Sequence, residues 1–486
     1  MTPPLLGFPP EAFALRREKV LERLHGGALL LPSAPLLHRS RDTEHRYRPD
    51  SELFYLTGST QPGVVAFLQP QGDKDRFVLF VPRRDPAAEL WSGPRLGPRE
   101  LGERLGAHAA YPAEEMENRL PGLLKGVQRL FFRLGVHPSL DFLVVGALQE
   151  ARRRGARKGE GLRAVVDPGQ VMDDLRLRKD PEEVARIRRA ADLTVSSFRD
   201  AMAGARPGMG EWELESALEW GFRRRGGRGP AFPTIAASGS NACILHYSSN
   251  EGVLSGHELV LLDGGAELDL YAGDVTRTFS PGGRFTGPRR DVYDVVLLAH
   301  QAALAAIRPG ARVEDVHHAA VMALTRGLVE LGVLSGDPEE LAERKDYERY
   351  FPHQTSHWLG LDVHDVGDYV VDGASRVLEP GMVLTVEPGL YFRETRSGNA
   401  EARQTGSDAD AGPPHGTLVA PTAASAGPPR PVTDLPAPLS PGAASYSGIG
   451  VRIEDDVLVT SDGAENLTRA LPVDPEALES LVGSRA

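Results

Sequence analysis

Apolar residues recur at helical spacing over residues 11–24, where Phe13, Val20, Leu21 and Leu24 sit among charges and Gly26-Gly27 follows as a stop, so an amphipathic helix is predicted there. A strand is expected next, at 27–31, with further strand-like runs at 63–68 and 76–81 and helical patterns near 96–105 and 114–124. This mixture predicts a compact α/β domain ending near residue 170. The basic, glycine-containing stretch 151–161 suits a surface segment near that boundary. A second domain, 171–486, opens at Asp180-Pro181-Glu182-Glu183, where an aspartate can cap free N–H groups and proline suits a first helical turn. The helix it starts is expected to reach about residue 203, and a second covers 211–225 before Gly226-Gly227. Strand-like runs follow at 235–237, 258–263 and 270–279, then helices at 290–307 and 313–331, then strands at 383–387 and 450–459. The order is that of an α+β domain with antiparallel pairing across its short turns.

Between Phe392 and Tyr446 the pattern disappears: there is no aromatic residue, and Pro, Ala, Gly, Ser and Thr are dense. Such a segment buries too little apolar surface to offset its ordering entropy, so residues 393–447 are expected to form a disordered insertion, dispensable for the fold.

Composition narrows the function. Apolar residues make up 41% and charged residues 25%, enough for buried cores in two domains. With 55 Lys+Arg against 67 Asp+Glu the net charge is −12, which repels phosphate backbones and anionic membranes. Nucleic acid is therefore not an expected partner. No apolar run approaches a membrane span and the first residues lack the pattern of an export signal, so no membrane partner is expected either. The one cysteine, Cys243, cannot form an internal disulfide, which fits a reducing compartment, the cytoplasm.

Five residues at the ends or centres of predicted strands carry candidate chemistry: Asp263, Asp274, His357, Glu387 and Glu454. Asp263 ends the run Leu259-Val260-Leu261-Leu262, where a carboxylate is costly unless paired or on a metal. Asp274 lies on the next strand, and a hairpin turning near Gly264-Gly265 would bring the two together. Glu387 is embedded in an apolar run that Pro388-Gly389 breaks, and Arg452, Glu454 and Asp456 share one face of another. Converging carboxylates without cations would repel by several kcal/mol at an effective dielectric of ~20. Two divalent metals resolve this, and the donor set suits manganese, cobalt or zinc without selecting among them. Singly, each residue has a plainer reading: Asp263 as a turn or cap residue, Glu454 in a salt bridge with Arg452. His353 and His357 could share a metal from one helix face, but 356–367 alternates more like a strand.

Taken in order, NACILHY at 241–247, LDGGAELDLYAGDVTRTF at 262–279, HQTSHWLGLDVHDVG at 353–367, TVEPGLY at 385–391 and GIGVRIEDD at 448–456 resemble the pita-bread-fold metallopeptidases, and among them the Xaa-Pro aminopeptidases. RSRDTE at 39–44, YLTG at 55–58 and WSGPRLG at 91–97 resemble that family's smaller, non-catalytic N-terminal domain. The resemblance implies a C-terminal pita-bread catalytic domain in which Asp263 binds one metal through both oxygens. Asp274 and Glu454 would bridge the pair, and His357 and Glu387 would complete the second site. It further implies that His246, His353 and His364 handle substrate, while His317 and His318 are left as ordinary helix residues. Metal-assisted hydrolysis would then release the N-terminal residue of peptides whose second residue is proline. Glu387 would shuttle the proton, and His364 would steady the oxyanion. A homo-oligomer, dimer or tetramer, is implied as well. Two departures stand out: the 393–447 insertion, and Gln354 where many relatives carry glycine. The competing readings are a prolidase limited to Xaa-Pro dipeptides, a metal-free binding module and a metal-free hydrolase such as creatinase.

Overall fold

The computed structural model describes residues 6–71, 76–155, 161–394 and 441–484. The chain forms two compact units, the first running to Leu175 and the second starting at Arg176.

The first unit is built on a six-stranded mixed sheet. Its order is Ala109–Pro112, Phe77–Val81, Val65–Leu68, Ala28–Pro32, Arg129–Phe131, Ala164–Val166. The three strands visible as apolar runs in the sequence are central, with Val65–Leu68 antiparallel to each of its two neighbours, and three outer strands add in parallel. Central strands covered on both faces need apolar residues at every position rather than at alternate ones. Leu29, Leu30 and Leu31 are accordingly all buried, as are Phe77 to Val81. The helix Pro10–Arg23 replaces the predicted 11–24 almost residue for residue. The helix Pro138–Gly155 runs through the first part of the basic stretch read as a surface segment, and residues 156–160 lie outside the described residues.

The second unit opens with the helix Pro181–Gly204, where the Asp180 carboxylate accepts from Glu183 N and the Glu183 carboxylate accepts from Asp180 N. This reciprocal cap, with Pro181 in the first turn, explains why the helix starts where the sequence predicts. The helix Glu211–Arg224 follows, then an antiparallel sheet of Ile235–Ser238, Val260–Gly264 and Val275–Phe279. The helices Pro288–Ala306 and Val313–Glu330 pack together at Gly327, where a Cβ would come 2.3 Å from Val295 Cγ1. A second antiparallel sheet joins Val383–Val386, Asp455–Val459 and Ala464–Asn466, and Gly389–Tyr391 pairs with Gly450–Arg452. The antiparallel α+β character expected of this half is what the strands show.

Two predicted strands are interrupted. The run 270–279 splits into Tyr271–Ala272 and Val275–Phe279, and the run 450–459 splits into Gly450–Arg452 and Asp455–Val459. The gaps hold Asp274 and Glu454, and an isolated bridge between Thr276 and Glu454 sets the two gaps side by side. The hairpin joining Asp263 to Asp274 also turns later than Gly264-Gly265: it reverses at Asp269-Leu270, both with positive φ, between the paired Leu268 and Tyr271. At the far end of the expected insertion, Pro441–Tyr446 is a 3-10 helix whose Ala443 and Tyr446 join the core, so that end is ordered. The body of the expected disorder, 395–440, lies outside the described residues.

Candidate metal centre

Asp263 is in the middle strand of the first sheet, opposite Ile235 on one side and Thr276 on the other. Glu387 directly follows Val383–Val386, and its N–H donates to Thr355 O at 2.8 Å. His357 reaches the same place because residues 355–359 run alongside that strand: Thr385 N donates to His357 O at 2.9 Å, and Leu359 N to Val383 O at 3.0 Å. The strand-like alternation seen in the sequence is thus real for 355–359, and 360–367 then bends away. A helix presenting His353 and His357 together does not form.

Within the second unit Asp274, Glu387 and Glu454 gather around His357, and Asp263 is close enough to act electrostatically on all three acids. His357 Nε2 lies 3.3 Å from Asp274 Oδ2, 3.6 Å from Glu387 Oε1 and 3.9 Å from Glu454 Oε1. One donor atom each of Asp274, His357 and Glu454 falls within 4.8 Å of the others. His357 Nδ1 sits 3.1 Å from the Trp358 carbonyl, which only accepts, so Nδ1 carries the proton. Nε2 then faces three carboxylates, an arrangement that calls for positive charge among them. Buried Asp263 Oδ1 and Asp274 Oδ1 also have no hydrogen-bond partner, and unmet buried oxygens are what a cation would satisfy. Burial, with neighbouring carboxylates adding to it, holds Asp274 and Glu454 well above the usual carboxylate range, and burial also raises Glu387. The donor set of four carboxylates and one imidazole fits divalent cations.

Arg452 does not pair with Glu454, the plainer reading of that acid. Its guanidinium donates to Asp263 Oδ2 at 2.5 Å, to Thr276 Oγ1 at 3.1 Å and to Tyr391 OH at 3.0 Å. Glu454 Oε2 instead accepts from Thr276 Oγ1 at 2.6 Å. Tyr391, Thr276 and Thr385 belong to the site but were not singled out, since hydroxyls on buried strands give no periodic signal. All three lie inside the matched motifs.

His353 Nδ1 faces the Gln354 carbonyl at 2.8 Å, leaving Nε2 to accept from Tyr391 OH at 2.9 Å. The contact uses Gln354's backbone while its side chain is exposed, so replacing glycine there leaves His353's anchoring unchanged. The His364 ring stands edge-on to His357 with centroids 4.5 Å apart. His246 is exposed on the loop after the 3-10 helix Gly239–Cys243, close enough to act electrostatically on His353 and His364.

His317, left among ordinary helix residues, sits at the edge of this group: its Nδ1 is 2.9 Å from Thr355 Oγ1 and its ring packs on Phe351. Burial lowers His317 and His364 to about 4 and His353 to about 3. Between pH 6.5 and about 4 the unfolded chain therefore binds protons at these rings that the folded chain does not, so stability falls as pH falls through that window. Replacing His317 with glutamine is expected to flatten this acid-side decline in urea midpoints, and an unaltered slope would contradict the assignment.

Metallopeptidase family M24 matches residues 185–461, and the aminopeptidase P N-terminal domain matches residues 13–131. The chain is 38% identical over 474 residues to the Xaa-Pro aminopeptidase of Escherichia coli (strain K12), covering 97% of each. A solved aminopeptidase of Pseudomonas aeruginosa superposes with a TM-score of 0.83 at 38% identity over 98% of both chains. A zinc-substituted aminopeptidase P of Escherichia coli, solved with product, does so with the same TM-score, identity and coverage. A catalytic unit gathering acids around one imidazole and a separate N-terminal unit both agree with these matches, and the chain belongs to metallopeptidase family M24, among its Xaa-Pro aminopeptidases.

Proposed function

We propose that Asp263, Asp274, His357, Glu387 and Glu454 hold two divalent cations, manganese in the cell, in a cytoplasmic enzyme that removes an N-terminal residue preceding proline. The observation that carries the metal assignment is the cluster of donor atoms from Asp274, His357 and Glu454, with buried Asp263 Oδ1 and Asp274 Oδ1 left without hydrogen-bond partners beside it. Manganese suits the oxygen-rich donor set, and the single buried cysteine suits a reducing compartment. When bound, the cations lower the pKa of a water to about 7 and place positive charge beside the scissile carbonyl.

The chain's own residues supply the rest. Glu387, whose proton affinity burial raises, accepts a proton from the attacking water and delivers it to the proline nitrogen as the bond breaks. Thr385 Oγ1, 3.4 Å from Glu387 Oε1, and His353 Nδ1, 3.8 Å from Oε2, flank that carboxylate. His364 stays neutral and offers an N–H to the oxygen on which charge develops. His353, fixed between Gln354 O and Tyr391 OH, lines with His246 the pocket for the proline ring and the chain beyond it. The substrate's free amine is held near the acidic cluster, which restricts cleavage to the end of a chain.

The test is release of the first residue from an Xaa-Pro-Xaa tripeptide, its loss on chelation and its return with manganese. Turnover that survives complete chelation would remove the metal mechanism. Cleavage of Xaa-Pro dipeptides alone would make the enzyme a prolidase.

A further inference from the structure

Glu211 opens the helix Glu211–Arg224, yet it does not cap it: Gly210 N is already met by Glu213 Oε2 at 2.7 Å. Its side chain is fully buried, and a buried carboxylate is costly unless donors surround it. Five do. Oε1 accepts from Ser238 N at 2.7 Å, Ser238 Oγ at 2.6 Å and Asn241 Nδ2 at 3.1 Å. Oε2 accepts from Tyr247 OH at 2.8 Å and Gly252 N at 2.7 Å. All five donors come from one continuous stretch, 238–252, and the backbone closes the same loop where Glu211 N donates to Gly252 O at 2.9 Å. Gly252 lies so close that a Cβ there would meet Glu211 Oε1 at 2.7 Å.

The stretch so gathered carries His246, next to Tyr247. Among the described residues the His246 ring has no hydrogen-bond partner of its own, so its place is set by the backbone beneath it. We propose that Glu211 is a positioning residue of the peptidase: by gathering Ser238, Asn241, Tyr247 and Gly252 onto one carboxylate it holds His246 at the substrate pocket. The inference rests on the reading of His246 as a pocket residue. It assigns to Glu211 a part in holding the peptide, with no contact to the reacting atoms.

The experiment is a double-mutant cycle on the metal-loaded enzyme with an Xaa-Pro-Xaa peptide, using Glu211→Gln, His246→Ala and the pair. Glutamine keeps the shape but turns an N–H toward the loop's donors. A displaced pocket group lowers kcat/KM by roughly ten- to a hundredfold. Glu211→Gln is expected to reproduce the division of that loss between KM and kcat seen in His246→Ala, to add little in the double variant and to leave metal content unchanged. Multiplying losses, or a kinetic pattern unlike that of His246→Ala, would overturn the role of Glu211 while leaving His246 in the pocket. An unimpaired His246→Ala would remove the pocket reading and the proposal with it. Should Glu211→Gln not fold, Tyr247→Phe, which deletes one of the five bonds, is put through the same cycle with the same outcomes deciding.

Discussion

Replacing Asp274 by asparagine is expected to abolish hydrolysis and, at neutral pH, to make the metal-free protein harder to unfold. Asp274 is buried beside Asp263, Asp456 and Glu387, and burial with these charges lifts its pKa well above 3.8. That raised value costs the fold stability at neutral pH, and the cost shrinks as pH falls below it and is gone only below the unfolded value of 3.8. Asparagine removes the charge, and its amide can donate to His357 Nε2, now 3.3 Å from Asp274 Oδ2. The same change removes an anionic donor, so less metal should bind and kcat/KM should fall at least about 10³-fold, the several kcal/mol that metal assistance supplies. Added manganese should stabilise the wild type, since binding only the folded state raises its stability, and should not stabilise the variant. Wild-type turnover in the variant, or a lower unfolding midpoint for its chelated form, would show that these carboxylates do not form the centre.

The largest loss of stability is expected at Arg277. Its guanidinium is fully buried with every donor engaged: Pro472 O at 2.9 Å, Thr276 O at 2.9 Å, Glu454 O at 2.7 Å, Leu471 O at 2.8 Å and Asp455 Oδ1 at 2.7 Å. Asp455 is also met by Thr468 Oγ1 at 2.6 Å, Asn466 Nδ2 at 2.9 Å and His300 Nε2 at 3.1 Å. Although burial opposes ionisation, Arg277, His300 and Thr468 hold the Asp455 carboxyl far below its usual range. Arg277→Met would strand a buried anion, a change that typically costs about 3–5 kcal/mol. Urea unfolding should show a loss of that order. Arg277→Met with Asp455→Asn should recover part of it, because the stranded charge is then gone. A single variant as stable as the wild type would mean that the network does not hold the strand break at Glu454.

Much of this was legible without coordinates. Elements with strong periodicity came through nearly intact: the helix Pro181–Gly204 announced its start by Asp180 and Pro181, and the central strands of the first unit were plain as apolar runs. The outer strands Arg129–Phe131 and Ala164–Val166 were missed because three residues offer no period, and they exist only through pairing with an existing sheet. The four acids and the imidazole stood out in the sequence because charge inside an apolar run demands an explanation. Hidden from the sequence were the two interruptions at Asp274 and Glu454, where apolar alternation continues while the hydrogen-bond ladder does not. Partner choice was hidden too: Arg452 two residues from Glu454 suggested a local pair, but Glu454 falls in the strand break, where it accepts from Thr276 Oγ1, and Asp263 takes the guanidinium. His317 is the reverse case, an unremarkable helix histidine that tertiary packing delivers to Thr355.

The bridge between Thr276 and Glu454 ties the hairpin that carries Asp263 and Asp274 to a strand that follows every other proposed ligand in the chain. During synthesis the ribosome must therefore finish Glu454 before the acids laid down earlier gain their last companion. A nascent chain therefore cannot hold the full proposed ligand set until Glu454 has been added.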